Sequence, residues 1–426
     1  MNQKTKKPAP TCMDEFDPNA LSVEQARDRI EKLVTPVRQN EFVEIGQLLN
    51  RVLAEDSCSP INVPNYVNSA MDGYAIQYSD ITKNDDTKLS ISAHIFAGDT
   101  SEYNIGKGEC ARIMTGARMP NGSDSVIMQE HVKNIETHII VPNSITNHVT
   151  QGQNVRHIGE DISIDDTILP RGHLLRAADI ALLASIGVTK AKVNRRIKVA
   201  YFSTGDELVA VGKELKIGQL YDSNRYSLSI MLTQFDAEII DMGVIVDQQD
   251  KIEAALKTAS EAADVIITTG GVSVGEADFV KIGLDKLGKV DFWKIAMKPG
   301  RPLAFGSINQ TLFFGLPGNP VSTMVTFLQF VLPALRKLRG QTKLENIRLT
   351  ANSITRLTKR KGRRDFQRGI LSIDDSGKMV VKSTGAQGSH ILRSMSLANC
   401  FIVLDEECEV VNIGDSVQVQ PFCGLF

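Results

Sequence analysis

The stretch "DVIITTGGVSVGEADF" (residues 264–279) joins a short apolar run, a glycine-rich loop and two carboxylates, Glu276 and Asp278. Its first half is apolar on both faces, which is typical of a strand buried in a parallel sheet. A helix is expected directly after the loop, from Phe279 to Leu287. Strand, glycine loop and helix in this order predict one unit of a doubly wound α/β sheet.

The same pattern recurs between residues 197 and 340. Apolar strands "IKVAYFS", "AEIIDMGVIV" and "TLFFGL" alternate with helical periodicity. The loops after them carry Asp206 with Glu207, then Asp247, then "LPGNPVS". In an open α/β sheet all four loops project to the edge formed by the carboxyl ends of the strands. Carboxylates are therefore predicted to meet there beside Gly270 and Gly271, whose backbone N–H groups can hold an oxyanion.

The regions that flank this unit have a different character. Short apolar segments separated by turn residues predict a β-rich domain over 67–153 and another over 341–426. Residues 1–18 are rich in lysine and proline and are predicted to be loose. A helix is expected near Ser22, where "SVEQ" fits a capping box, and a second over 46–54. The predicted fold class is multidomain α/β plus β, with a central doubly wound α/β domain.

Composition narrows the function classes. The chain has 426 residues and a net charge of −2, so no global field draws it to nucleic acid or to a membrane. Six dispersed cysteines without a C-x-x-C pair argue against a zinc ribbon or a disulfide framework. Carboxylates suit a hard cation such as Mg²⁺ better. Without a signal peptide or a membrane-spanning run, the chain is expected to be soluble and cytoplasmic.

Each of these signals also has a structural interpretation. A single loop acid serves equally well as a turn or N-cap residue, and Asp278 can cap the helix that follows it. "GVSVG" matches the nucleophile elbow of serine hydrolases, but Ser273 would need a downstream histidine, and only His390 in the final β region follows. The agreement of four loops is what favours a functional site.

Cations are concentrated in two places. In "FWKIAMKPGRP", Lys294 and Lys298 share a face if the stretch is one strand, as either a basic sheet edge or a cationic wall for an anion. The run from Arg356 to Arg368 holds seven cations against one acid, Asp365. A solvated face is its simplest interpretation. Phosphate or nucleic acid remain alternatives, although no aromatic platform accompanies the run.

Polar–glycine segments in the N-terminal half, "NSAMDGYA", "RIMTGARMP" and "RHIGEDI", mark Asp72, Thr115 and Asp161 as candidate site residues. Together with "STGDEL", "YDSNR", the glycine loop, "FWKIAMKPGRP", "GLPGNPVS", "DFQRG" and "TGAQGSH", they occur in an order that resembles the molybdopterin molybdenumtransferase family (MoeA, and the E domain of gephyrin). The resemblance covers nearly all of the chain after about Asp17.

This resemblance implies an enzyme that inserts molybdate into adenylylated molybdopterin with Mg²⁺ and releases AMP. It implies a homodimer of four-domain subunits, with possible partners among the enzymes of the pathway. The domains would be a discontinuous first domain (19–66 and 154–196), the inserted β-rich domain (67–153), the α/β molybdopterin-binding domain (197–340) and the C-terminal β domain (341–426).

The resemblance also implies roles for particular residues. Catalytic residues would be Asp72, Thr115, Asp161, Glu207, Asp247 and Asp278, and the last three would hold the metal. Substrate and molybdate would be held by Lys294, Lys298, Arg368, Ser389, Ser322, Pro317, Pro320, Gly270 and Gly271. The family usually has a small apolar residue and proline after "TGA", where this chain has "RMP". We expect only a change of loop shape there.

Two other functions remain open at this stage. One is a molybdopterin-binding scaffold that has lost activity. The other is an enzyme that carries out the preceding adenylyl transfer, since the α/β domain alone is similar to that enzyme too. The flanking "MDGYA" and "DFQRG" segments favour insertion of molybdenum. The sequence does not assign the role of the basic run before Arg368, or the molybdoenzymes that would receive the cofactor.

Overall fold

The computed structural model describes residues 19–271 and 279–422. The predicted loop residues Ser273, Glu276 and Asp278 lie outside these ranges. Within them, no helix is long and apolar enough to cross a membrane.

Helix α1 (Val23–Leu33) opens the described chain and starts as the sequence predicts. The Ser22 hydroxyl accepts a hydrogen bond from the Gln25 backbone N–H (3.1 Å), and the Ser22 N–H donates to the Gln25 side chain (2.9 Å). Its buried face, Val23, Ala26 and Ile30, packs into the core of the α/β unit. These three residues recur at the three- and four-residue spacing of an amphipathic helix.

Strands before and after the first β-rich segment pair with each other. The elements before it are β1 (Asn40–Glu44), a 3-10 turn (Ile45–Gln47) and β2 (Ser57–Cys58). The helix expected over 46–54 is wrong, because only that single turn forms. In place of a helix, Val52 and Leu53 bridge to Leu174 and Val193.

The β-rich segment forms a mixed six-stranded sheet in the order β7-β4-β6-β5-β9-β8. Its elements are the short β3 (Asn68–Ser69), β4 (Gly73–Ile76), β5 (Thr87–Ile95), β6 (Glu109–Ile113), β7 (Ser125–Met128), β8 (Lys133–Ile135), β9 (His138–Val141) and α2 (Asn143–Thr146). Both faces of β4 are buried, so the strand that follows Asp72 lies in the middle of the domain's core.

The chain then returns to its earlier elements. It forms β10 (Val155–Arg156), β11 (Thr167–Leu169), α3 (Ala177–Ser185) and β12 (Lys190–Asn194). Strand β10 pairs with β3, β11 with β2, and β12 with β1, all antiparallel. The two ends of the β-rich segment are therefore held next to each other.

The α/β unit has a second six-stranded sheet in the order β16-β13-β17-β21-β20-β18. Its elements in chain order are β13 (Lys198–Thr204), β14 (Leu208–Val209), β15 (Leu220–Tyr221), α4 (Ser223–Gln234), β16 (Glu238–Ile245), α5 (Gln249–Ala262), β17 (Val265–Thr269), α6 (Phe279–Leu287), β18 (Gly288–Lys294), β19 (Met297–Lys298), β20 (Pro302–Ile308), β21 (Thr311–Leu316), α7 (Pro320–Thr326), a π-helical segment (Phe327–Val331) and α8 (Leu332–Leu338). Strands β16, β13, β17 and β21 are mutually parallel, whereas β20 and β18 run antiparallel at one side. The predicted doubly wound sheet is confirmed.

A third six-stranded sheet, in the order β19-β24-β25-β22-β28-β26, closes the molecule. It contains β22 (Leu349–Ser353), β24 (Arg364–Ile373), β25 (Met379–Ser383), β26 (Cys400–Leu404) and β28 (Ser416–Pro421), with β23 (Leu357–Thr358), α9 (Leu392–Leu397) and β27 (Val410–Val411) beside it. Strand β19 reaches this sheet from the α/β unit, and Phe366, Phe401 and Phe422 share the α/β core. The two units therefore share both a strand pairing and a hydrophobic core.

Candidate active site

The carboxyl ends of the four parallel strands bring the four predicted loops to one edge of the α/β sheet. Strand β13 is second from one end of the sheet, and the chain runs first outwards to β16 and then back to β17 on the other side of β13. The direction of winding therefore reverses between β13 and β17. In open α/β sheets the crevice at such a reversal is where ligands bind.

The glycine loop at this crevice is shaped by close backbone approach. Gly270 and Gly271 have φ of 83° and 64°, in the left-handed region. A Cβ on Gly270 would lie 2.7 Å from the Thr204 carbonyl oxygen, and one on Gly271 would lie 2.5 Å from Val280. The Gly270 N–H donates to the Leu316 carbonyl at 3.2 Å, so the neighbouring strand already engages it. Among the described loop residues, the predicted anion-holding role therefore rests on Gly271.

Three carboxylates crowd the loops after β13 and β16, and we call Asp206, Glu207 and Asp247 the acid edge. The Asp247 N–H donates to the Asp206 carboxylate at 3.3 Å, which joins the two loops. Partial burial and the charges of Asp206 and Glu207 raise the pKa of Asp247 above its ordinary value. The chain thus holds negative charges close together at this edge.

This excess of negative charge is what a hard cation would relieve. The described residues contain no ready-made group of three or more ligands for a metal ion. Asp278, the third predicted ligand, follows the glycine loop and lies outside those residues. The donor set is nevertheless made of carboxylate oxygens, which suit Mg²⁺. The crowding of Asp206, Glu207 and Asp247 fits a cation at this place, and the same crowding contributes to the raised pKa of Asp247.

The loop Pro317–Ser322 connects the glycine loop to the C-terminal unit. Gly318 lies beside Gly270, since a Cβ on it would make an ordinary van der Waals contact, at 3.8 Å, with the Gly270 Cα. Helix α7 starts at Pro320, where the missing N–H costs nothing. The Val321 N–H donates to the Ser389 carbonyl at 3.1 Å. The predicted residues Pro317, Pro320 and Ser322 therefore lie between Gly270 and Ser389.

The cations gather on the C-terminal side. Lys298 of β19 is in register with Asp365 of β24, and Arg368 is only 1% exposed. We call Lys298, Asp365 and Arg368 the cation cluster. The Arg368 guanidinium donates to the Ser394 hydroxyl (3.0 Å) and to the Gly388 carbonyl (3.2 Å), both of which are neutral. Burial lowers the pKa of Arg368 to about 10, although the charge of Asp365 acts against this.

Asp365 is a residue whose role the sequence analysis missed. It is 4% exposed, and burial raises its pKa although the charges of Lys298, Lys359 and Arg363 lower it. The one feature that marks Asp365 in the sequence is that it is the single acid within a basic run. It supplies the buried counter-charge of the cation cluster.

Lys294 does not share a strand face with Lys298, and that expectation is wrong. Lys294 ends β18, and its carbonyl accepts a hydrogen bond from the Leu21 N–H at 2.8 Å. The chain then leaves the α/β sheet, and Lys298 joins the C-terminal sheet through β19. Two different sheets therefore position the two lysines.

The remaining predicted residues lie on the N-terminal half. Asp72 and Thr115 meet, since the Thr115 N–H and hydroxyl donate to the same Asp72 oxygen at 2.7 and 2.8 Å. These two hydrogen bonds, the backbone one first, hold the pKa of Asp72 below its ordinary value. Asp161 is held by a different segment, since its N–H donates to the Val63 carbonyl at 3.0 Å.

Much of the basic run is engaged within the protein. Arg364 is 8% exposed and contacts the carboxylates of Glu24, Asp405 (3.4 Å) and Glu406 (3.2 Å). The Lys359 ammonium donates to the carbonyls of Arg360, Arg363 and Glu406 at 2.8–3.2 Å, and burial lowers its pKa. These two cations bind the C-terminal sheet to its own loops and to α1.

Comparison with known proteins places these elements in one family. Three family models match in succession: "MoeA N-terminal region (domain I and II)" at residues 21–187, "Probable molybdopterin binding domain" at 200–337 and "MoeA C-terminal region (domain IV)" at 350–422.

Individual relatives agree with the family models. The chain is 44% identical to a molybdopterin molybdenumtransferase of Haemophilus influenzae over 94% of this chain and 98% of that protein. It is 34% identical to one from Nostoc sp. over 90% and 88%. The crystal structure of a molybdopterin biosynthesis MoeA protein from Pyrococcus horikoshii superposes with a TM-score of 0.75 at 31% identity, covering 95% of this chain and 99% of that one.

Proposed function

The chain belongs to the molybdopterin molybdenumtransferase family, and we propose that it transfers molybdenum from molybdate to molybdopterin. In its finer form, the proposal takes adenylylated molybdopterin as the substrate and Mg²⁺ as the cofactor, with AMP as the second product. Support comes from family models that follow one another along most of the chain and from relatives named for this activity.

One observation carries the proposal: the loop Pro317–Ser322 lies between two regions of opposite charge excess. It touches Gly270 beside the acid edge, and its Val321 N–H is bonded to Ser389 beside Arg368. Molybdate is a dianion and binds best to positively charged residues. The phosphoanhydride of adenylylated molybdopterin is also negatively charged, and it needs a metal cation that carboxylates can hold. Two substrates with these demands therefore fit one continuous site.

In this reaction the two cations of the cation cluster, Lys298 and Arg368, would hold molybdate. Lys294, Lys298, Arg368 and Ser389 would donate to its oxygens, because charge-assisted hydrogen bonds to an anion are stronger than neutral ones. Arg368 has neutral hydrogen-bond partners in Ser394 and Gly388, so its charge is not cancelled by a direct carboxylate contact. Low solvent exposure strengthens its attraction for an anion.

At the acid edge, Glu207 and Asp247 would hold Mg²⁺ together with Asp278, and Asp206 adds negative charge nearby. When bound, the ion would neutralise phosphate oxygens and favour departure of AMP. The chain itself contributes the orientation. Gly271 and the Pro317–Ser322 loop would position the phosphate between the acids and the molybdate. Asp72, Thr115 and Asp161 keep their proposed catalytic roles.

The test is AMP release from adenylylated molybdopterin, measured by chromatography with Mg²⁺ in the presence and absence of molybdate. Release that depends on molybdate supports the proposed reaction. Tight pterin binding without release would indicate a scaffold, and consumption of ATP would indicate adenylyl transfer. Asp278→Asn should abolish release while circular dichroism shows an intact fold. Wild-type turnover in this variant would remove Asp278 from the mechanism.

We further propose a homodimer that acts in the cytoplasm and receives its pterin from enzymes of the same pathway. The dispersed cysteines, including Cys58, Cys110, Cys400 and Cys408 as free thiols, agree with a reducing compartment. Sedimentation equilibrium of the purified chain tests the dimer. A monomer at micromolar concentration would contradict it.

A further inference from the structure

The first turn of α4 carries two buried oxygens that no described residue satisfies. Asp222, the N-cap, is 3% exposed, and Asn224 is 8% exposed. Within the described part of the chain, Asp222 Oδ2 and Asn224 Oδ1 have no hydrogen-bond partner. Buried acceptors without partners are rare in native proteins because each one costs folding free energy. Neither residue is among the predicted site residues, although both belong to "YDSNR", one of the segments that carry the family resemblance.

The orientation of both side chains is fixed by their other polar atoms. Asp222 Oδ1 accepts the hydrogen bond of the Arg225 N–H at 3.1 Å, which leaves Oδ2 free. Asn224 Nδ2 donates to the Gly318 carbonyl at 2.7 Å. A flipped amide would set two oxygens against each other there, so Oδ1 is the unpaired atom. Arg225 anchors this turn to β16 through Asp241, with both oxygens at 2.9 Å.

The turn lies at the edge of the α/β sheet that holds the candidate site. Helix α4 follows β13, so its N-terminus is at the carboxyl end of that strand. The Gly318 carbonyl that Asn224 contacts belongs to the loop that touches Gly270. The Asn224 side chain is therefore connected to the glycine loop through Gly318.

The chemistry of the turn selects the type of group that can bind. Two acceptors, one of them a carboxylate, require hydrogen-bond donors, so phosphate and molybdate oxygens do not fit. A metal cation is disfavoured because the N-terminus of a helix is the positive end of its dipole. Neutral N–H donors satisfy both conditions. A 2-amino-4-oxopyrimidine ring presents two of them side by side, the 2-amino group and N3–H.

We propose that Asp222 and Asn224 accept hydrogen bonds from the 2-amino and N3–H groups of the pterin ring, and that they determine specificity for it. This inference rests on the proposed function and names the part of the chain that would recognise the ring rather than the phosphate. Recognition by buried acceptors discriminates strongly, since an analogue with an oxygen in place of the 2-amino group leaves the Asp222 oxygen unpaired and repelled.

The two oxygens are buried, whereas the segment just before α4 is open to solvent. Residues 210–218 are all exposed, and Ile217 has no side-chain burial at all. The hydrogen bonds that shape this segment close within it and at its base, as Tyr221 Oη–Lys213 O (2.7 Å) and Asp222 N–Val209 O (3.3 Å) illustrate. The segment is therefore held by its own hydrogen bonds and by the residues at its base.

The experiment compares two probes that differ at one position. 6-Hydroxymethylpterin monophosphate has the 2-amino group, and 6-hydroxymethyllumazine monophosphate has a 2-oxo group instead. Binding to the full chain with Mg²⁺ is measured by fluorescence titration. Wild type should bind the pterin about 100-fold more tightly. Asp222→Asn offers an amide donor to the 2-oxo group, so the preference should fall below about threefold or invert.

Controls separate recognition from folding. Asparagine caps helices as well as aspartate, so Asp222→Asn should keep the wild-type melting curve. Asn224→Ala should weaken the binding of both probes, because both present an N3–H group, and it should leave the preference between them largely intact. Tyr226→Phe, at a half-exposed position of the same helix, should retain the wild-type preference. An Asp222→Asn protein that keeps this preference overturns the proposal, as does a wild type that binds both probes equally or neither.

AMP release is measured on the same wild-type preparation, so that failure of ring recognition can be distinguished from failure of the proposed reaction. Molybdate-dependent AMP release without discrimination between the probes would overturn only the assignment of Asp222 and Asn224. Discrimination without AMP release would overturn the proposed reaction, while the recognition of the pterin ring by this turn would stand.

Discussion

The acid edge and the cation cluster hold opposite charges, but they hold them at different depths. The carboxylates of the acid edge lie in loops, where Asp206 and Glu207 are exposed and repel Asp247. In the cation cluster Arg368 and Asp365 are buried, and Arg368 also satisfies Ser394 and Gly388. A charge at the surface can serve a ligand at little cost to the fold. A buried charge must bind the ligand and also make the hydrogen bonds that keep the fold stable. Substitutions in the two regions should therefore differ in how much they change the free energy of unfolding.

Arg368→Met should have the largest effect. It removes the donor to the Ser394 hydroxyl and the Gly388 carbonyl and leaves Asp365 with less compensation, so we expect a loss of about 2–4 kcal/mol in the free energy of unfolding. Molybdate-dependent AMP release should disappear as well. Urea denaturation followed by circular dichroism measures the first effect, and chromatography the second.

The matched control is Arg356→Met, an exposed position in the same basic run. It should change the free energy of unfolding by less than about 0.5 kcal/mol. Equal stability of the two variants would show that burial of Arg368 contributes nothing to the fold, and the contrast between the two regions would be lost.

The acid edge could be predicted from the sequence because its signals are local. A buried strand appears in the sequence as an apolar run, and the carboxyl ends of parallel strands lie at one edge of the sheet. Glu207, Asp247 and the glycine loop each follow such a run closely, so their position at this edge can be predicted. The cation cluster could not be predicted in this way. Lys298 lies beside Asp365 only because β19 leaves one sheet and joins another, and no residue pattern in "FWKIAMKPGRP" records that change of sheet.

The predicted helix over 46–54 and the interpretation of the basic run as a solvated face were wrong for a similar reason. The stretch 46–54 has helical spacing, but Val52 and Leu53 are used in bridges to distant residues, and tertiary contact overrides weak helix propensity. The basic run reads as a solvated face, yet Arg364 and Lys359 are fixed by partners far along the chain. Sequence spacing records neighbours within an element, whereas these contacts depend on how elements meet.

Lys298→Met should have the next largest effect, and mainly on the ligand. Lys298 is exposed, so the fold should remain, while loss of one charge-assisted contact to molybdate should raise the KM for molybdate about tenfold. Lys298→Arg should keep most of the affinity. Lys289→Met, at an exposed position of β18, is the control and should leave KM unchanged. A rise in KM in both methionine variants would mean that general surface charge attracts molybdate.

Asp247→Asn should have a smaller effect on stability, and of the opposite sign. Removing a repelled carboxylate should raise the free energy of unfolding by about 0.5 kcal/mol without ligands, as expected for a partly exposed charge. Wild type should gain stability from millimolar Mg²⁺, and the variant should not. Asp250→Asn, an exposed acid in the next helix, should respond to Mg²⁺ like wild type. Equal Mg²⁺ stabilisation of all three proteins would remove Asp247 from the proposed metal site.

The smallest expected effect is a difference between the pKa values of two aspartates, Asp72 and Asp247. Hydrogen bonds from Thr115 lower the pKa of Asp72, so its stabilisation is present above the ordinary pKa of an aspartate and is lost as the pH falls through the folded value. Repulsion and burial raise the pKa of Asp247, so its penalty is absent below the ordinary pKa and complete above the folded value. Carboxyl ¹³C titration of aspartate-labelled protein, assigned with Asp72→Asn and Asp247→Asn, should place the two values on opposite sides of the ordinary pKa. Added Mg²⁺ should lower the value of Asp247 and leave that of Asp72 unchanged. Coincident titration would mean that neither the Thr115 contacts nor the crowding at the acid edge sets the charge of these carboxylates.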